Sequence, residues 1–496
     1  MAWGSSPERK PLSDCRAYMR YTVLAYTSSA GVFIGNMMEW LDFTIYGFSE
    51  TEVSSAFFGG SDDIGWVSFG VGFAMRPVGA LLLGWLSDRC GRTIALLLAI
   101  LGMAASSALL AVLPATCGTT GGVNGYCISS VAVTASLCII LRAAQGLSAG
   151  GAAPGVNVLQ AERWSSDERR WVLGQAIGVN NASGALASAV AAAVVLGLRV
   201  GLGSESYSAY GFRIAFAIPT LPAVLSALLL HRSGDTPPER EKTDEKGAER
   251  EADVERYSSC EIAVATPPRV NEDATSSSRS SSAVAMPTGV PAAPAASINV
   301  WVYTSVLTMI LFTIVAYNNL GPFMVQYAKD NFGVGKDEAI AMQIVGKAVQ
   351  LLATPFVALL TDVKGAVHAC AVGGLLCMIL AVPMMAASFL GGVADAWIFV
   401  SVLFPLVATL WIQNAPLLAI PLYPCAVRGR FLGVVFGFST AAAGFFPLAL
   451  HQVRSDPYLS GGILAGAALA ALLGIIWIRL KVHAGAITVF LRPELY

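Results

Sequence analysis

Charge is scarce in this chain: only 13% of its 496 residues are Asp, Glu, Lys or Arg, against 55% hydrophobic residues and a mean hydropathy of +0.63. That balance excludes an ordinary soluble domain and makes lipid the solvent. The chain also lacks a glycine-rich phosphate loop, a cluster with metal-ligand spacing and a nucleophile–base constellation, so no cofactor and no enzymatic activity is expected. No cleavable signal peptide is expected, because the polar, basic N terminus leads into an apolar run that is too long and carries acids. The formal net charge of -1 gives no sign of a nucleic-acid partner.

What is present is a series of apolar runs. A bilayer core of roughly 30 Å needs about 20 apolar residues per helix, and about twelve such runs lie near 22–49, 63–86, 93–114, 131–158, 172–198, 211–231, 299–328, 338–361, 367–390, 395–423, 431–451 and 461–481. The 49 glycines and 24 prolines, many inside these runs, suit membrane helices whose neighbours re-satisfy the backbone. The expected fold is an all-α membrane protein of two six-helix halves. It divides into an N-terminal tail (1–21), a first half (22–231), a linker (232–298), a second half (299–481) and a C-terminal tail (482–496). The linker is rich in Ser, Pro, Ala and mixed charge, including SSSRSSS at 276–282, and is expected to be a disordered cytoplasmic tether.

The second run ends in a charged loop with the spacing G-x-x-x-D-R-x-G-R, filled by Gly84, Asp88, Arg89, Gly91 and Arg92. In the second half Asp362 and Gly365 repeat the spacing of Asp88 and Gly91, while Val363 and Ala366 replace the arginines. Such internal repetition is expected of carriers built from repeated halves. Lys and Arg gather in the N-terminal tail (Arg9, Lys10, Arg16, Arg20) and in loops holding Arg89, Arg92, Arg163, Arg169, Arg170, Arg428 and Arg430, which places these on the cytoplasmic side together with both termini. Lys329, Lys336 and Arg454 are exceptions on the outer side. Cys117 and Cys127 share an outer loop, where they are either a disulfide or two free thiols. Asn181-Ala182-Ser183 matches a glycosylation pattern but lies inside a run, which favours a structural role.

Glu39 and Asp42, three residues apart, project from nearly one face of the first membrane helix. An ionised acid at a helix centre costs about 2.5 to 3.5 kcal/mol on insertion scales, so such residues face a cavity and find partners. Burial raises a carboxylate's pKa and a close arginine lowers it, and a group poised between the two exchanges protons. Arg142, with Gln145 on the same helical face, is the natural counter-charge.

Several segments together resemble the major facilitator superfamily and, within it, the metabolite:proton symporter family of proline/betaine, α-ketoglutarate, citrate and shikimate carriers. They are GNMMEWLDFTIYGF at 35–48; Phe73, Arg76, Pro77 and Gly79 of a G-F-x-x-R-P-x-G pattern; LRAAQGLSAGG at 141–151; YGFRIAF at 210–216; DTPPE at 235–239; and LYPCAVRGR at 422–430. One departure stands out: Ala152-Ala153-Pro154 occupies the place where that family usually carries a glutamate. The resemblance implies that Arg142 governs proton binding and release, and that the Asp88 loop bonds across the two halves on the cytoplasmic side.

From these readings Asp42 is expected to carry protons with Glu39 in a coupled or supporting role, or the two acids with these jobs exchanged, and Arg142 to control pKa or recognise an anion; a static buried ion pair that orders the helices is the alternative. Trp40, Tyr46, Arg76, Gln145, Tyr317, Asn318, Asn319, Trp411, Gln413 and Asn414 are candidate substrate contacts, since aromatic faces attract quaternary ammonium and amides bond carboxylates. The expected function is proton-driven uptake of a small polar organic solute by a monomer in the plasma membrane, its partners being solute, protons and lipid. A uniporter or exchanger of the same fold, or a non-transporting nutrient sensor, are the alternatives.

Overall fold

Prolines accompany several of the helix breaks in this computed structural model. It describes residues 15–90, 92–119, 127–151, 156–157, 160–161, 164, 172–233, 298–390 and 397–490. The N-terminal helix α1 (Cys15–Ser28) runs into α2 (Ala30–Phe48), and α3 (Glu50–Phe57) continues it after a kink at Ser49. Next, α4 (Asp62–Ala74) and α5 (Arg76–Cys90) meet at Met75, where Pro77 has no N–H for the carbonyl of Phe73. The first half is completed by α6 (Arg92–Val112), α7 (Val131–Ala149), α8 (Leu173–Leu202), α9 (Phe212–Ala217) and α10 (Thr220–Ser233).

In the second half α11 (Val300–Asn318) and α12 (Leu320–Phe332) break at Asn319, ahead of Pro322. Beyond them lie α13 (Lys336–Lys364), α14 (Ala366–Leu390), α15 (Phe404–Ile412), α16 (Cys425–Ala443), α17 (Phe446–Gln452) and α18 (Pro457–His483). The break between α16 and α17 follows from Pro447, which leaves the Ala443 carbonyl without its usual donor. Asn319 Nδ2 donates to that carbonyl at 3.4 Å. One proline break is thus stitched to another.

Among the described residues ten helices are long and apolar enough to cross a membrane, and α2 and the shorter apolar stretch Leu97–Val112 lie beside them, consistent with about twelve crossings. The expected runs overlap these, but several, among them 63–86, 299–328 and 431–451, are two helices rather than one. Apolar periodicity does not register a break whose freed carbonyls are satisfied inside the bundle. Residues 1–14 and 491–496 of the expected tails, most of the linker (234–297) and the Ala152-Ala153-Pro154 segment lie outside the described residues, while 15–21 of the expected N-terminal tail are helical in α1.

The helices before Arg232 and after Ala295 pack into one compact unit. Contact between the halves runs along α8 against α13 and along α4 and α5 against α16. Within the first half, α7 lies directly on the backbone of the second crossing: a Cβ on Gly146 would stand 1.9 Å from the carbonyl oxygen of Gly72. Only glycine permits that approach, and it fixes how far Arg142, one turn earlier, reaches inward. Cys117 and Cys127 are joined in a disulfide beside a two-residue ladder, β1 (Ala115–Thr116) with β2 (Cys127–Ile128). Asn181 is engaged within the bundle, donating to Thr354 Oγ1 at 2.9 Å.

Candidate functional site

Both acids of α2 are buried, and each has its own arginine. Glu39 Oε1 lies 2.7 Å from Nη1 of Arg76, the residue that opens α5 at the Pro77 break. Asp42 Oδ2 lies 3.8 Å from Arg142 Nη1 on α7. The expectation of one shared counter-charge is therefore replaced by two separate pairs, because the kink at Met75 turns a second guanidinium into the bundle. Around Asp42 a chain of hydrogen bonds closes: Ser107 Oγ on α6 donates to Asp42 Oδ1 at 2.6 Å, Gln145 Nε2 donates to Ser107 Oγ at 2.8 Å, and Arg142 Nη1 donates to Gln145 Oε1 at 2.6 Å. Ser107 escaped sequence reasoning, since a lone serine in an apolar run carries no pattern.

Aromatic rings enclose these charges. The Arg142 guanidinium sits 4.1 Å from the Tyr46 ring centroid and 4.9 Å from that of Phe43. Arg76 lies 4.6 Å from the Phe43 centroid and 4.5 Å from that of Phe73. Desolvated cation–π contacts of this kind contribute on the order of 2 kcal/mol each. The network is nonetheless incompletely bonded. Asp42 Oδ2, Nε and Nη2 of Arg76, and Nε and Nη2 of Arg142 have no hydrogen-bond partner among the described residues, and buried polar atoms left in that state are costly.

Beside it opens a small cleft between the halves, lined by Trp40, Phe43, Thr44, Phe48, Phe69, Phe73 and Ser188 of the first half and by Asn318, Asn319, Gly321, Pro322 and Lys347 of the second. The broken α11–α12 hinge thus forms its second-half wall, the kind of discontinuous helix found at carrier binding sites. Phe43 and Phe73 belong to both regions, lining the cleft and lying under the guanidiniums.

Of the candidate solute contacts, Trp40, Asn318 and Asn319 line this cleft. Tyr46, Arg76 and Gln145 belong to the charged network. Tyr317 and Trp411 pack in the second half: Tyr317 donates to the Leu464 carbonyl at 2.8 Å and meets Trp411 edge-on at 5.2 Å. Gln413, with its amide turned to suit both partners, donates to the Thr354 carbonyl at 3.1 Å and accepts from Ala358 N at 3.0 Å. Asn414 Oδ1 accepts from Thr361 Oγ1 at 2.6 Å. Tyr317, Trp411, Gln413 and Asn414 do not line the cleft. Of the charged loop, Gly84, Asp88 and Arg89 fall within α5 and Arg92 opens α6, while Gly91 lies outside the described residues.

Two clusters join the halves at opposite ends of α8 and α13. At one end Glu52 Oε1 contacts Arg199 Nη1 at 2.9 Å and Lys336 Nζ at 2.7 Å, and Arg199 Nε reaches Asp337 Oδ1 at 2.5 Å. At the other, Asp362 accepts from Gly174 N at 2.7 Å and from the Tyr18 hydroxyl at 3.1 Å. The aspartate of the second-half loop, whose arginines are absent, still bonds to the first half.

A model of the Major Facilitator Superfamily matches residues 32–447. The chain belongs to the Major Facilitator Superfamily. It is 24% identical over 436 residues to the proline/betaine transporter of Salmonella typhimurium, covering 85% of this chain and 77% of that one. Over 204 residues it is 33% identical to the citrate-proton symporter of Salmonella typhi, covering 39% and 44% of the two chains. Among solved structures, the proton:xylose symporter XylE bound to 6-bromo-6-deoxy-D-glucose shares the fold with a TM-score of 0.69 at 15% identity, covering 95% of this chain and 98% of that one. The protein is a multi-pass membrane transporter of this superfamily, similar to carriers of the metabolite:proton symporter type.

Proposed function

We propose that this transporter carries a small polar organic solute through the cleft by alternating access, driven by a proton gradient. The observation that carries the reading is the incompletely bonded Asp42–Arg142 network lying against a cleft between the halves, with Phe43 common to both. A carboxylate beside a movable guanidinium changes its proton affinity as the two separate. A solute pressing on Phe43 and Phe73 bears on the arginines beneath them, which couples occupancy of the cleft to the carboxylates. Asp42 takes the proton, Arg142 sets its affinity and Glu39 with Arg76 supports the pair. The Asp88 loop latches the cytoplasmic side, both termini are cytoplasmic, and the protein works as a monomer in the plasma membrane without cofactor or nucleic acid. The names of the similar carriers support solutes such as proline, betaine or an organic acid.

The test is uptake by purified protein in liposomes of proline, glycine betaine, dicarboxylates and citrate, with and without an imposed pH gradient. Accumulation enhanced by acid outside is the expected result. Flux indifferent to the gradient would make the protein a uniporter or exchanger, and binding without flux would make it a sensor.

A further inference from the structure

Lys347 is a cation inside a membrane crossing, on a wall of the cleft, and no sequence pattern singled it out. Its Nζ donates to Gln350 Oε1 at 3.0 Å. Gln350 is held in turn by donating to Asn181 Oδ1 at 3.2 Å across the α8–α13 contact, so the ammonium is tethered at its base. Among the described residues Lys347 makes no ion pair. The two buried carboxylates near the cleft are already matched, Glu39 by Arg76 and Asp42 by Arg142, so the cleft carries an excess positive charge at Lys347. An ammonium has three donors, and one is used here.

Resting on the reading that the cleft is the transport site, we infer that Lys347 holds a carboxylate of the transported solute. The rest of the solute lies against the aromatic wall of Trp40, Phe43 and Phe73, and the Asn318 amide at the hinge provides a second polar contact. The charge that recognises the solute then comes from the second half, and the proton-carrying groups come from the first. Binding brings the α13 wall toward α2, which gives the solute a reason to favour closure of the cleft.

Solute counterflow in liposomes without a pH gradient tests this, because it reads binding and exchange whether or not protons are coupled. Labelled proline, glycine betaine, 2-oxoglutarate and citrate are offered to the wild type, and each acid that exchanges is competed with its own carboxamide. The expected result is that at least one acid exchanges and competes at least about tenfold better than its amide, as a charge-assisted hydrogen bond requires. In Lys347→Gln that ratio falls close to one, and in Lys347→Arg discrimination persists with a weakened half-saturation. The Arg variant and the wild-type ratio carry the test if the Gln variant does not reconstitute. Equal competition by acid and amide, full discrimination retained in Lys347→Gln, or exchange of none of the four acids would overturn the assignment. Discriminating exchange together with net uptake that is indifferent to an imposed pH gradient would sink proton coupling and leave Lys347 in place.

Discussion

Where the helices of the first half meet, two carboxylates and two guanidiniums are buried together under aromatic rings. In the second half the corresponding interior is held by amides, Gln413 on the Thr354 carbonyl and Asn414 on the Thr361 hydroxyl, while Lys347 faces the cleft. The difference separates two tasks that one site could have combined. Charges that must stay out of water sit on elements fixed by backbone contact, such as Gly146 on Gly72. The half with the neutral interior supplies the broken hinge at Asn319 and the wall that moves.

Removing the cation from the ionic half should cost most. In Arg142→Gln the Asp42 carboxylate stays buried with no guanidinium, and breaking a buried pair by removing one partner costs about 3–5 kcal/mol. A large fall in thermal stability in detergent, together with loss of uptake, is expected; unchanged stability would mean that the pair is solvated. Next comes Gly146→Val, which forces α7 off the second crossing and should destabilise by about 1–3 kcal/mol, as overpacking does. If its melting temperature matches wild type, the close approach does not position Arg142.

A smaller effect is expected at the junction between halves. Glu52→Gln removes the charge shared by Arg199 and Lys336 and should shift the open–closed balance by about 1.5 kcal/mol, or on the order of tenfold. Thiol labelling of Ser188→Cys, which lines the cleft, should become faster from the Glu52 side; unaltered labelling would remove that cluster from gating. Smallest is Asn414→Ala in the neutral half, where losing a hydrogen bond should cost about 1 kcal/mol with uptake kept. A loss of uptake as large as that of Arg142→Gln would erase the contrast between the halves.

Much of this was legible in the residues. The crossings follow from apolar runs, and Glu39, Asp42 and Arg142 stand out because charge inside a run demands a reason. Arg76 was legible as a residue but not as Glu39's partner, since its position depends on the kink that Pro77 imposes. Lys347 carried the same kind of signal as Arg142, a lone cation in an apolar run, without a motif around it. Tyr317, Trp411, Gln413 and Asn414 show the converse: residue types suited to binding are equally suited to packing, and only the helix face they occupy distinguishes the two. The second-half loop read as a decayed copy because its arginines are gone, yet Asp362 keeps contact with the first half through Gly174 and Tyr18.

The most direct test of the division of labour is Asp42→Asn in liposomes, comparing accumulation under an inward proton gradient with solute exchange at equal pH. The account predicts that gradient-driven accumulation is abolished while exchange persists near the wild-type rate. Accumulation that survives the substitution would contradict it.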